Sequence, residues 1–225
     1  LAGFAAFVML QPDLGTTVLL AVLAFAILGV AGATPISLAT YALPATAVGA
    51  AASMWGYRRA RMLAFLDPWQ HPTTSGYQTL QAQVSLASGG WFGSGIGTSR
   101  AKYGFLPEAH TDFVYAIIGE EFGLFGALAV QALYLLFFTA GLRVARSAQD
   151  RFSKLVATGI STWIGVQAFV NLGVATGALP NKGITLPFLS YGGSSIIITM
   201  AAAGILVNIA RSQGTPARRP ARSSG

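Results

Sequence analysis

The sequence predicts an all-α fold, a polytopic bundle of transmembrane helices with a large extracytoplasmic loop and a re-entrant loop before the last span. Three observations carry this. Hydrophobic residues make up 53% of the chain and charged residues only 9%, whereas a soluble domain carries about 25% charged residues. The few charges are clustered, which leaves charge-free runs between Asp13 and Arg58 and over 122–142, 155–181 and 183–210. A helix crosses the hydrocarbon core with about 20 apolar residues, and a soluble helix needs a polar face that these runs lack.

The elements follow in order. The apolar run 1–10 reads as the end of a span, so the chain is expected to be the C-terminal part of a longer polytopic protein. The first charge-free run is long enough for two spans, placed at 16–31 and 36–56, with a turn at Gly32-Ala33-Thr34-Pro35. Glycine permits such a turn and proline suits the first position of the next helix. The other runs hold one span each, at 112–142, 155–177 and 189–210. Arg143, Arg146, Arg151 and Lys154 follow the first of these, and Arg211, Arg218, Arg219 and Arg222 follow the last. The positive-inside rule makes both segments cytoplasmic. Span parity then turns Gln11–Thr16, the long segment 57–111 and the segment 179–195 outward.

Arg58, Arg59, Arg61, Arg100 and Lys102 fall on that outer side. Either loop length overrides their charge during translocation, or the cations hold an anionic ligand. The Gly-Gly-Trp-Phe-Gly stretch at 89–93 suggests a segment lying at the bilayer surface, where Trp prefers to sit. Residues 1–211 are assigned to the membrane domain and 212–225, rich in Arg, Pro, Ser and Gly, to a disordered basic cytoplasmic tail.

The net charge of +7 comes from basic residues flanking spans, so nucleic acid is not an expected partner. The chain has no cysteine, which excludes disulfides, thiolate metal sites and Cys nucleophiles. Two histidines, His71 and His110, are too few for a His-rich metal site.

Charges in or beside a span are expensive and therefore candidate functional groups. Leu106-Pro107-Glu108-Ala109-His110-Thr111-Asp112 packs two carboxylates and an imidazole at the outer surface. A carboxylate there could take a proton from a hydroxyl nucleophile. Thr111 and Asp112 could instead cap the helix that follows. Glu120 and Glu121 lie about 12 Å further along at 1.5 Å per residue and are expected to face protein. Gln11 and Asp13 lie in a turn broken by Pro12 and Gly15, where Asp13 could cap the next span. Lys182 and the run Ser190-Tyr191-Gly192-Gly193-Ser194-Ser195 sit in an apolar setting. Irregular backbone at membrane depth belongs inside protein or beside a wet cavity.

Six motifs in order resemble the SEDS family (FtsW, RodA and SpoVE). They are Gln11-Pro12-Asp13-Leu14-Gly15-Thr16, Phe65-Leu66-Asp67-Pro68, Gly76-Tyr77-Gln78, the 106–113 run, Gly119-Glu120-Glu121 and Leu186-Pro187-Phe188-Leu189-Ser190-Tyr191-Gly192-Gly193-Ser194-Ser195. Residues 179–187 resemble the FtsW-like branch more than the RodA branch, and the resemblance covers all but the tail. It implies a multi-pass protein of the bacterial cytoplasmic membrane, of which these are the last six of ten spans, with its catalytic side extracytoplasmic. It further implies a peptidoglycan glycosyltransferase that polymerises lipid II, with Asp112 as the general base. Substrate contacts are then expected from Glu108, His110, Arg58, Arg61, Gln78, Lys182, Ser190, Ser194 and Ser195. Gln11, Asp13, Glu120 and Glu121 would shape the cavity. A divalent cation, Mg or Mn, could offset pyrophosphate charge, although no residue pattern marks a metal site. Expected partners are lipid II, a class B penicillin-binding protein and divisome proteins. A lipid flippase, or a scaffold recruiting a penicillin-binding protein, would present the same polar cavity. Polymer formation that needs the acidic residue separates the enzyme from both.

Overall fold

The computed structural model describes residues 14–53, 57–70, 72, 74, 76–99 and 110–213. Every regular element among them is helical. Helix α1 (Leu14–Val30) and α2 (Pro35–Ser53) are joined at Gly32, which adopts φ 101°. Thr34 Oγ1 accepts the Ser37 N–H at 3.3 Å, so a threonine cap and a proline in the first turn start α2 where the turn was predicted. The predicted 57–111 loop contains two helices, α3 (Tyr57–Leu66) and α4 (Tyr77–Ser88), with a 3-10 turn (Pro68–Gln70) between them. Then come α5 (Val114–Ser147), α6 (Arg151–Ala175) and α7 (Gly193–Gln213). Helix α6 starts earlier than its predicted span because Asp150 caps it, accepting the Ser153 N–H at 2.7 Å. That backbone bond holds the Asp150 carboxyl below its ordinary range. Helix α7 runs to Gln213, two residues into the segment assigned to the tail.

Among the described residues three helices, α5, α6 and α7, are long and apolar enough to cross a membrane, and α1 is a shorter apolar helix. Their outer faces are apolar, with Leu133 64% and Ile197 70% exposed, as lipid or neighbouring spans require and water does not. Helix α6 is the hub: α5, α1 and α7 all pack on it, and α4 packs on α5. Close approach rests on small residues. A Cβ on Gly141 of α5 would fall 2.1 Å from Ser161 Oγ of α6.

Helix α5 differs most from its prediction. Its 34 residues would span about 51 Å as one rod, far beyond a hydrocarbon core of about 30 Å. It is broken at Gly123, with φ 68° and ψ −164°. The apolar stretch from Leu124 to Leu142 matches the hydrocarbon core by itself, at about 28 Å. Glu120 and Glu121 therefore belong to a short outer segment rather than lying 12 Å inside a span. Both are buried, at 5% and 8% exposed, against the loop that follows α4.

Two clusters of buried apolar residues mark the two ends. The larger gathers Phe113, Tyr115, Ile117, Val174 and Leu186 beneath the turn that carries Asp112. The smaller joins Ala145, Ala157, Leu206 and Ile209 at the opposite end. There Arg151 Nη2 donates to Ala31 O at 2.9 Å, and Ser147 Oγ donates to Gln213 Oε1 at 2.6 Å. The α1–α2 turn, the α5–α6 turn and the end of α7 thus share one end of the bundle.

Candidate functional site

The other end is built around Asp112. It was expected to be either a helix cap or a functional carboxylate. Helix α5 begins at Val114 with Phe113 in the cap position, and no side-chain cap bond is made there. Thr111 and Asp112 thus precede the cap position itself. Asp112 is half-buried, and its turn is fixed from two sides. Asn171, 1% exposed on α6, donates through Nδ2 to Asp112 O at 2.7 Å and to Ile184 O at 2.6 Å. The Tyr191 N–H donates to His110 O at 2.9 Å. The carboxylate lies against the segment between α6 and α7: a Cβ on Gly183 would stand 3.3 Å from Asp112 Oδ2. Glycine at 183 thus leaves room for the carboxylate beside the main chain next to Lys182.

That segment packs back into the bundle, as predicted, and each of its bends has a support. Gln167 Nε2 on α6 donates to Thr185 O at 3.0 Å, and Thr185 Oγ1 lies 3.3 Å from Ser195 Oγ. Asn181 Nδ2 donates to Gln78 Oε1 at 2.5 Å, which ties α4 to the segment. Phe188 is held at φ 67°, a conformation costly for a bulky residue. Its neighbours hold it there: Tyr134 O–H donates to Pro187 O, and the Phe188 ring packs edge-on against Phe137 at 5.6 Å. Ser190 is 2% exposed and its Oγ accepts the Leu186 N–H at 2.6 Å, so this hydroxyl closes a turn instead of facing a cavity. Beyond it, Tyr191 and Ser194 are exposed.

The structure therefore brings Asp112, the main chain next to Lys182 and the backbone of His110 together, with Gln78 joined through Asn181 and Ser195 through Thr185. Glu120 and Glu121 stand apart, bound to Ser99: its Oγ donates to Glu120 Oε2 at 2.6 Å and its N–H to Glu121 Oε1 at 3.4 Å. Arg58 and Arg61 lie on α3, whose packing partners are α2 and the 3-10 turn. Gln11, Asp13, Glu108, His71, Arg100, Lys102 and the tail 214–225 fall outside the described residues. Among the described residues no group of three or more His, Asp or Glu side chains could hold a metal ion.

Two residues that matter here were missed in the sequence, Asn171 and Gln167. Their signal was present: two amides four residues apart, on one face of a charge-free span, are costly unless they bond to something.

The family model described as "Cell cycle protein" (FtsW, RodA, SpoVE) matches residues 1–215. A probable peptidoglycan glycosyltransferase FtsW of Geobacter metallireducens is 52% identical over 161 residues, 71% of this chain and 43% of the relative. Its namesake in Geobacter sulfurreducens is 44% identical over 210 residues, 92% of this chain and 56% of the relative. The chain thus spans about half the length of these curated relatives. Among solved structures, a chain from work on the structural coordination of polymerization and crosslinking by a peptidoglycan synthase complex superposes with a TM-score of 0.72. It is 28% identical, and the match covers 95% of this chain and 60% of that one. The rod shape determining protein RodA of Thermus thermophilus gives a TM-score of 0.57 at 26% identity, over 95% of this chain and 55% of that one. The chain belongs to the FtsW/RodA/SpoVE family of multi-pass inner-membrane proteins.

Proposed function

We propose that this chain carries the reaction centre of a peptidoglycan glycosyltransferase that joins lipid II units into glycan strands, in the septal branch of the family. The observation that carries this is Asp112: a half-buried carboxylate on a turn fixed by Asn171 and set against Gly183, the residue after Lys182. The relatives' name supplies the substrate class.

In the proposed step a sugar hydroxyl of one unit attacks the anomeric carbon of the next, inverting it. The hydroxyl proton passes to the Asp112 carboxylate, the bond from the anomeric carbon to the pyrophosphate oxygen breaks, and the lipid pyrophosphate leaves with the electron pair. General-base help of this kind contributes about 10²–10⁴-fold. Lys182, next in the chain to the glycine beside Asp112, would offset pyrophosphate charge as it builds up, with Arg58 and Arg61 as further cations. A Mg or Mn ion would add the same service, but the described residues do not gather as a site for one, so no step depends on it.

The basic residues Arg143, Arg146, Arg151, Lys154 and Arg211 sit at the end of the bundle opposite Asp112. The positive-inside rule then supports an extracytoplasmic reaction centre. A class B penicillin-binding protein, which cross-links strands, is the proposed partner among the divisome proteins.

The test is incubation of the membrane-reconstituted protein with purified lipid II. Glycan strands released as a ladder are the expected product. Lipid II moved across the bilayer with no polymer would replace the enzyme with a flippase.

A further inference from the structure

The break in α5 and the loop after α4 fit each other group for group. In an unbroken helix the N–H groups of Leu124 and Phe125 would bond to the carbonyls of Glu120 and Glu121. Here the Ser94 N–H takes Glu120 O at 2.9 Å and the Gly95 N–H takes Glu121 O at 3.1 Å. The Leu124 N–H donates instead to Gly90 O at 2.9 Å, and the Phe125 N–H to Trp91 O at 3.4 Å. The loop thus satisfies these four backbone groups, the carbonyls of Glu120 and Glu121 and the N–H groups of Leu124 and Phe125, as a break near lipid requires. Side chains reinforce the joint: Ser94 Oγ donates to Glu120 O, and the wholly buried Ser99 binds both carboxylates.

Two glycines make the joint possible. Gly123 takes φ 68° and Gly93 takes φ 83°. A Cβ on Gly123 would lie 2.4 Å from Gly93 N, and one on Gly93 would lie 2.1 Å from Glu121 O. Neither position accepts a side chain while the loop is docked.

The outer face of this joint is apolar. Trp91, Phe92 and Ile96 are 65%, 84% and 80% exposed. Both rings pack on Phe125, with centroids 6.2 and 5.4 Å away. Phe125 is the second residue of the stretch that matches the hydrocarbon core, so the aromatic tip stands at the edge of that core. Aromatic side chains, Trp above all, favour this interface.

We propose that residues 89–99 form an interfacial clasp. It completes the break in α5 and, with Trp91, Phe92 and Ile96 seated among lipid headgroups, holds the outer segment of α5 at a fixed height over the bilayer. Asp112 stands two residues before that segment, so the clasp sets the height of Asp112 relative to a lipid-linked pyrophosphate. Glu120, Ser94 and Ser99 are then positioning residues, and their work is done through the backbone of α5. The proposal rests on the reading of Asp112 as the base.

These 225 residues contain no cysteine, which allows a direct test. The full chain carries Phe92→Cys labelled with an environment-sensitive fluorophore, in nanodiscs of phosphatidylethanolamine and phosphatidylglycerol. Blue-shifted emission, quenched by doxyl groups placed shallow in the lipid, is the expected result. Gly123→Ala in this background should shift the emission toward that of water. It should also lower kcat for glycan polymerisation by about 10²-fold, the cost of a small displacement of a catalytic group, with KM unchanged. A Phe92→Cys/Phe125→Cys pair joined by a short bismaleimide fastens the clasp and should polymerise at the parent rate. Aqueous emission from the parent overturns the proposal, as does full activity of folded Gly123→Ala or loss of activity in the fastened pair. Should Gly123→Ala not fold, the fluorophore and the fastened pair decide. Asp112→Asn is assayed alongside. Activity there refutes the base assignment, whereas an inactive Asp112→Asn beside a fully active Gly123→Ala refutes the clasp alone.

Discussion

Asn171 uses its amide protons on two carbonyls from different parts of the chain, Asp112 and Ile184. It is the pin that holds the Asp112 turn against the segment carrying Lys182. Asn171→Ala would leave both carbonyls without that donor, at a cost of about 1–3 kcal/mol for each unsatisfied buried group. A lowered Tm of the purified protein is the expected outcome, with polymerisation falling further than the unfolded fraction explains, because the turn loses its registration. Asn171→Asp keeps the shape but presents oxygen to oxygen, so it should be no better than alanine in both measurements. The motif run 106–113 made Asp112 visible in the sequence. Asn171 was harder to see: with Gln167 it marks a polar face on an apolar span, but that pair does not name a partner 59 residues away.

At the scale of elements, composition and charge spacing located the spans well. The turn at Gly32 and Thr34 appears where glycine, threonine and proline required it, and α5, α6 and α7 fall on the charge-free runs. Hydropathy is blind to the backbone, however, and α5 shows the consequence. Residues 112–142 read as one long span. The break at Gly123 depends on a docked loop whose residues lie far earlier in the chain. Length was the signal that could have exposed it, since a span continuing from Asp112 to Leu142 is longer than the hydrocarbon core needs. The helices α3 and α4 were hidden for the opposite reason. They are short, α3 is rich in arginine, and neither has the apolar run by which spans were recognised.

The whole molecule has two chemically different ends. One joins the α1–α2 turn, the basic α5–α6 turn and the end of α7. The other joins the Asp112 turn, α4 and the segment before α7. We propose that the first end, with its basic residues, faces the cytoplasm. A single cysteine at Ser147 should therefore resist a membrane-impermeant maleimide in intact cells and react after permeabilisation, and reaction in intact cells would invert the topology. The central claim concerns the other end, and one measurement tests it most directly. Asp112→Asn keeps the size of the side chain and an oxygen that can still cap a helix, so the variant should melt close to the parent. Polymerisation of purified lipid II by this variant should be slower by about 10²–10⁴-fold. A well-folded Asp112→Asn protein that builds glycan strands at the parent rate would contradict the assignment of Asp112 as the base.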